Sequence, residues 1–243
     1  MPTLILSPRY TEDGQLLWKA ALDAGWHIHR LSSWQIGPEA RSIVDPVLYV
    51  EAMFAPTFAE ELGVVLSEPS LDWLPKLPFR FRLRDIQLMT LGEAHRLEKD
   101  AFVKPPNDKS FAAKVYSPGG LPEDFPESMP VLVAEPVTWE NEFRCFFLDQ
   151  KLVTYSVYAR WGELQDQEGY QHSPEEETEL HTFLAEILSD SNVSFPNAAV
   201  LDVGKIQGKG WAVVEQNAAW GAGLYGADPA LVLQVIRKAT QQG

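Results

Sequence analysis

The chain opens on a short apolar run, Leu4-Ile5-Leu6, which Ser7-Pro8-Arg9-Tyr10 breaks. From Asp13 onward, Leu16, Leu17, Ala20, Ala21 and Ala24 recur at helical spacing and Gly25 follows, so the pattern predicts a helix stopped by glycine. Residues 27–31 alternate like a half-buried strand. Residues 47–50 (strand), 54–62 (helix) and 64–66 (strand) repeat the alternation. The first third is therefore expected to form a parallel α/β layer. Trp73-Leu74-Pro75-Lys76-Leu77-Pro78 is punctuated by proline and predicts a boundary, dividing residues 1–78 from 79–243.

Beyond that boundary the pattern changes to strands. Residues 101–104 and 131–134 are short apolar runs, each followed by a proline-bearing segment. Residues 143–147 and 152–158 flank Asp149-Gln150-Lys151 and predict a hairpin. One amphipathic helix is clear. Ser173 is its N-cap, Pro174 opens it and Glu175, Glu176 and Glu177 fill its first turn; Leu180, Phe183, Leu184, Ile187 and Leu188 form its apolar face. Residues 200–203 and 211–215 predict a last strand pair across Gly208-Lys209-Gly210, and 229–240 a closing helix. The expected fold class is α/β.

Composition sharpens this picture mainly by exclusion. With 243 residues, 45% hydrophobic and 22% charged, the chain is long enough for two small units or one large one and has a globular make-up. Lys and Arg number 20 against 34 Asp and Glu, a net charge of -14. Such a surface repels phosphate backbones and anionic lipid, so no nucleic-acid or membrane partner is expected. The single cysteine, Cys145, excludes an internal disulfide framework and a cysteine-rich zinc site. No leader-like or membrane-spanning run is visible, and the expected location is cytoplasmic.

Chemistry concentrates at the last strand pair. Asp202 lies inside an apolar strand, and Glu215 ends its partner two residues before Asn217. Strand alternation lets Glu215 and Asn217 share a face that Asp202 joins from the neighbouring strand. Two carboxylates and an amide oxygen suit Mg²⁺, a hard ion that prefers oxygen; ordinary strand-end charge is the competing explanation. Lys104 leaves a strand into Pro105-Pro106-Asn107-Asp108-Lys109-Ser110-Phe111, where a lysine can meet a phosphate as a point charge, with Lys109 and Lys114 nearby. Arg144 and Arg160 lie on apolar strands and must find an anion or a carboxylate, such as Glu140 or Glu142. Residues 218–226 hold three glycines, yet match neither a P-loop nor a dinucleotide fingerprint. His27, His29 and Cys145 read as structural.

Taken in order, Phe102-Val103-Lys104-Pro105, Ala134-Glu135-Pro136-Val137, Glu142-Phe143-Arg144, Ala159-Arg160, Leu201-Asp202-Val203-Gly204 and Val213-Val214-Glu215-Gln216-Asn217 resemble the ATP-grasp superfamily of carboxylate–amine ligases. They are most similar to its small clade named for two arginines and a lysine. The resemblance covers roughly residues 80–243, and the region before it is similar to the α/β domain that usually precedes an ATP-grasp unit, whose two sub-domains clasp ATP. It implies that Lys104 contacts the nucleotide phosphates and that Glu135 and Val137 form a hinge whose backbone reads adenine. It also implies that Glu142, with Glu140 as rival, binds ribose. Arg144 and Arg160 would stabilise the γ-phosphate and an acyl-phosphate, and Asp202, Glu215 and Asn217 would hold Mg²⁺. The usual glycine-rich phosphate loop is replaced by residues 107–111, which places Lys109 over the nucleotide. An earlier lysine has no match, leaving Arg82 or Arg84 in its stead, and the metal motif continues as Ala218-Ala219-Trp220-Gly221. The implied activity is an ADP-forming ligase using ATP and Mg²⁺ on small-molecule, peptide or protein carboxylates and amines. A phosphotransferase on the same site and a non-catalytic nucleotide-binding module are the alternatives.

Overall fold

The computed structural model describes residues 1–107 and 109–242, with Gln242 described by its backbone alone. Asp108, part of the loop expected over the phosphates, lies outside the described residues. The first layer runs Thr3–Leu6 (β1), Glu12–Asp23 (α1), His27–Arg30 (β2), Pro38–Arg41 (α2), Pro46–Tyr49 (β3), Ala55–Leu62 (α3) and Val64–Leu66 (β4). The strands β2-β1-β3 form a parallel sheet in which β1 is central and buried along its whole length. A parallel strand covered on both faces reads as a continuous apolar run, which is what Leu4-Ile5-Leu6 supplies.

Two expectations for this layer need correcting. In α1 the stripe facing the core is Gly14, Leu17, Ala20 and Ala21. Leu16 is turned out to solvent, about 100° around the helix from Leu17, and Ala24 falls at the exposed C-cap. The strand β4 does not extend the parallel sheet. It pairs antiparallel with a strand at the far end of the chain, Thr240–Gln242, where the sequence pattern runs the last helix on to residue 240.

After Trp73–Lys76 (α4) and Phe79–Arg82 (α5), a second unit contains Ile86–Thr90 (β5), Leu91–Ala94 (α6), Ala101–Lys104 (β6), Lys114–Tyr116 (β7) and Pro130–Ala134 (β8). Its antiparallel sheet has the order β5-β8-β6-β7; the hydrophobic pattern does not announce β5 and β7. Ala101, Val103, Val131 and Val133 pack under α6, which leaves Phe102 and Lys104 on the opposite face.

The third unit is the largest sheet. It contains Trp139–Leu148 (β9), Lys151–Arg160 (β10), Glu163–Leu164 (β11), Pro174–Ser189 (α7), Ala198–Ile206 (β12) and Gly210–Asn217 (β13). The expected hairpin between β9 and β10 is present, and Asp149 and Gln150 at its tip both have positive φ, at 48° and 63°. The sheet order is β11-β10-β9-β12-β13. One face, with Phe143, Cys145, Phe147, Leu201 and Val203, buries Leu180, Phe183, Leu184 and Ile187 of α7. The other face carries Phe146 and Val200 into the core of the first layer. A 3₁₀ turn at Ala219–Gly221, the helix Pro229–Ala239 (α8) and the strand Thr240–Gln242 (β14) return the chain there. Val232, Leu233, Val235 and Ile236 of α8 share a core with Leu4, Ile5, Leu6 and Leu48.

Candidate functional site

Three adjacent strands bring the acidic residues to one level. Arg144 on β9 is the ladder partner of Asp202 on β12, and Asp202 is the partner of Glu215 on β13. Paired residues share a face, so an arginine and two carboxylates line up across the sheet. Arg144 Nε and Nη2 donate to Asp202 Oδ1 and Oδ2 at 2.9 and 2.7 Å, with both side chains buried. Arg144 Nη1 donates to the Gly223 carbonyl at 3.1 Å. The stacked rings of Tyr158 and Tyr225 flank this guanidinium, their centroids 5.4 and 4.7 Å from its carbon. Asn217 Nδ2 donates to Asp202 Oδ2 and to Glu215 Oε1, at 3.0 Å each. From the facing sheet, Lys104 at the end of β6 forms an ion pair with Glu215. Cation, anion, anion and cation thus alternate from Arg144 to Lys104.

The electrostatics follow from this row. Burial disfavours the Arg144 cation, but the adjoining Asp202 carboxylate more than offsets that and holds it protonated. Burial likewise opposes the charge of Glu215, yet Lys104 and Asn217 hold its pKa down at about 2. Glu142 differs. Burial pushes it up to about 7, although Tyr158 Oη donates to it at 2.9 Å, because Asp202 and Glu215 add like charge.

The remaining expected residues separate. Glu135 follows β8 on the surface, where Lys209 Nζ donates to it at 2.9 Å, and Val137 is half-buried in the connector leading to β9. Lys109 is exposed on the β6–β7 loop. Arg84 is buried and donates to the carbonyls of Val213 and Val214 at 2.8 and 3.0 Å, which braces β13 beside Glu215. Burial lowers its pKa to about 10. Arg82 is spent on the carbonyls of Leu77 and Arg84. Cys145 is fully buried and burial raises its thiol, in keeping with an inert role.

Arg160 stands apart from Arg144. A β-bulge between Val157 and Ala159 shifts the register, so that Arg160 pairs with Asn141 and faces α7, while Arg144 pairs with Ser156. There Arg160 Nη1 and Nη2 donate to Glu176 Oε1 and Oε2 at 2.6 and 2.9 Å, and Asn141 Nδ2 joins Glu176 at 3.0 Å. Neither arginine pairs with Glu140 or Glu142, the carboxylates that the sequence put nearest. Arg144 takes Asp202 and Arg160 takes Glu176.

Sequence reasoning also missed the residues that anchor the glycine-containing loop. Asp13 Oδ2 accepts the Leu224 N–H at 3.1 Å, Tyr49 Oη donates to the Ala222 carbonyl at 3.1 Å, and the Trp220 carbonyl accepts the Val50 N–H at 3.1 Å. A side chain at Gly223 would press on Asp13, since its Cβ would lie 3.2 Å from Oδ2. Asp13 reads as the start of a helix and Tyr49 as the end of a strand; nothing in their spacing links them to a loop over 170 residues later. Among the described residues no three histidine, cysteine, aspartate or glutamate side chains converge on a metal-sized site.

Against this geometry, the model of an ATP-grasp domain, family 2 of the clade named for two arginines and a lysine, matches residues 81–235. The chain belongs to this family. Among curated proteins no sequence match is found. Solved ATP-grasp structures share its fold over nearly the whole chain. A RimK domain ATP-grasp protein from Sphaerobacter thermophilus is 16% identical with a TM-score of 0.55, covering 97% of this chain and 99% of its own. A D-cycloserine synthetase is 10% identical with a TM-score of 0.59, covering 98% and 99%. The D-alanine–D-alanine ligase of Bacillus anthracis is 13% identical with a TM-score of 0.55, covering 97% and 95%. The fold is thus an ATP-grasp fold, and the row from Lys104 to Arg144 lies where its second and third sheets face each other. No helix among the described residues is long and apolar enough to cross a membrane.

Proposed function

We propose that this ATP-grasp chain is an ATP-dependent ligase that joins a carboxylate to an amine through an acyl-phosphate. The observation that carries the reading is the row Arg144–Asp202–Glu215–Lys104, with Asn217 bridging both acids. In the first step a substrate carboxylate oxygen attacks the γ-phosphorus and the bond to the ADP oxygen breaks. In the second the amine attacks the acyl carbon, phosphate leaves and the amine gives up a proton. Such transfers need positioning and cancelled charge more than covalent help from the protein.

In this reading residues 79–243 handle the nucleotide and residues 1–78 the acceptor side. Lys104 and Arg144 meet phosphate oxygens, Lys109 closes over them, Glu135 and Val137 offer backbone to adenine, and Glu142, oriented by Tyr158, takes the ribose. Asp202, Glu215 and Asn217 are the residues that would hold Mg²⁺. Asn217 Nδ2 now faces both carboxylates, so the amide would turn over to present Oδ1 beside Asp202 and Glu215, giving a hard ion three oxygen ligands. Mg²⁺ when bound supplies phosphate charge neutralisation and orientation. Arg160 belongs to the reading only if its Glu176 pair opens on substrate binding.

The test is ADP and phosphate release from Mg²⁺·ATP with pooled amino acids and small carboxylates, followed by mass spectrometry. A product equal to two substrates less water is expected, and Glu215→Gln should lower its rate by about 10²-fold or more. A phosphorylated product would replace the ligase with a phosphotransferase. ATP binding without turnover, with peptide and protein acceptors also supplied, would count against both.

A further inference from the structure

The carboxyl ends of the parallel strands meet beside the loop that holds Arg144. Ser7 follows β1, Arg30 closes β2 and Glu51 lies just past β3. Because the order is β2-β1-β3, the winding reverses at β1, and a crevice beyond the strand ends is expected at such a reversal. Ser7 joins the two charged residues. Its carbonyl accepts Arg30 Nη1 at 3.0 Å and its hydroxyl donates to Glu51 Oε1 at 3.1 Å. Arg30 Nη1 also reaches the Arg9 carbonyl at 2.9 Å.

The rest of each side chain is unsatisfied. Arg30 Nε and Nη2 and Glu51 Oε2 are buried and make no hydrogen bond among the described residues. Buried polar atoms of charged groups are normally paired, because leaving them unpaired is costly. Nε and Nη2 form one edge of the guanidinium, the same edge with which Arg144 grips Asp202. The rings of Tyr10 and Trp18, 4.3 and 5.4 Å from the Arg30 guanidinium carbon, hold that fork in place. Gly14 of α1 leaves the space beside Nη2 without a side chain; a Cβ there would come within 3.9 Å of it. From Gly14 the path to the reaction centre is short. Its neighbour Asp13 accepts the Leu224 N–H, and the Gly223 carbonyl accepts from Arg144.

We infer that Arg30 and Glu51 form a subsite for a free α-amino acid, with its carboxylate on the Arg30 edge and an amine N–H on Glu51 Oε2. A molecule that carries both a carboxylate and an amine can satisfy both orphaned groups at once. A simple amine leaves Arg30 unpaired, and a simple carboxylate leaves Glu51 unpaired. The inference rests on the ligase reading for its meaning: it makes the amine-bearing substrate a free amino acid.

The test uses the full chain without nucleotide, so that it stands apart from turnover. Thermal unfolding is followed with an equimolar pool of the twenty proteinogenic L-amino acids and with a pool of their C-terminal amides, and calorimetry then measures the member that binds. The acids should raise the unfolding temperature and the amides should not. Arg30→Gln and Glu51→Gln should each weaken amino-acid binding at least tenfold, with ATP affinity unchanged. Should Arg30→Gln fail to fold, Arg30→Lys and Glu51→Gln carry the same expectation. Equal binding of amides, no binding by any acid, or full affinity in Glu51→Gln would each overturn the subsite. Amino-acid binding without ATP-dependent amide formation would overturn the ligase reading and leave the subsite standing.

Discussion

Arg144 and Arg160 lie on neighbouring strands of one sheet and each grips a carboxylate with two nitrogens, but they do so on opposite faces. The Arg144 side chain is 8% exposed and its partner Asp202 is fully enclosed; the Arg160 side chain is 30% exposed and Glu176 21%. On the first face the pair belongs to a charge row shared with Lys104 and Asn217. On the second it fastens α7 to the sheet through a capping box, in which Ser173 Oγ accepts the Glu176 N–H and Glu176 accepts the Ser173 N–H. The same two-residue chemistry joins a buried charge row in one place and a helix end in the other. Burial decides what each pair is worth.

The deepest loss should come from breaking the first pair. Arg144→Met leaves the Asp202 carboxylate buried without its cation and should cost about 3–5 kcal/mol in urea unfolding. Replacing both partners, Arg144→Met with Asp202→Leu, should recover most of that loss, since a buried pair contributes little beyond what apolar packing supplies. A double variant as unstable as the single would mean that Tyr158, Tyr225 and the Gly223 carbonyl depend on the guanidinium itself.

A second contrast sets two glutamates against each other. Glu142, on the Arg144 face, is pushed up by burial to about 7, whereas Glu176 is drawn down by Arg160 to about 2. From an ordinary value of 4.5, these shifts give pH dependences of opposite sign. Folded Glu142 retains a proton that the unfolded chain releases, so its stabilisation is complete below about pH 4.5 and is lost as pH rises through about 7. The stabilisation from Glu176 is present above about pH 4.5 and is lost as pH falls toward 2. Urea unfolding of the nucleotide-free, metal-free protein should therefore show Glu142→Gln gaining on the parent between pH 5 and 8 by roughly 1–3 kcal/mol. Glu176→Gln should converge with its parent only at acid pH. The same slope in both variants would mean that the two faces do not differ in solvation.

Much of this was legible in the residues. Strand alternation put Glu215 and Asn217 on one face that Asp202 joins, although a bulge beside Asp202 turns Val213 to the other face, and Ser173-Pro174 with three glutamates marked the start of α7 to the residue. What escaped has specific causes. A bulge inserts one residue with no signature in composition, and that one residue turns Arg160 away from Arg144. The β4–β14 pairing joins residues 64–66 to residues 240–242, a separation at which local pattern carries no information. Asp13, Tyr49 and Leu224 meet for the same reason. Arg84 reads in the sequence only as a substitute for a lysine, because nothing there tells an arginine that braces carbonyls from one that awaits phosphate.

The smallest effect discriminates most sharply. Arg160→Gln removes a partly exposed bidentate pair while Glu176 keeps Asn141 and the Ser173 N–H, so the stability loss should be about 1 kcal/mol. If the bulge commits Arg160 to α7, ATP affinity and the maximal rate of ADP release should stay within about threefold of the parent, against a loss of about 10²-fold or more for Arg144→Lys. Arginine and lysine differ in the fork that Asp202 requires, which is why even the charge-conserving change at 144 should be severe. A drop in maximal rate for Arg160→Gln as deep as that of Arg144→Lys, with stability within about 1 kcal/mol of the parent, would mean that Glu176 releases Arg160 during turnover and that the two faces exchange an arginine.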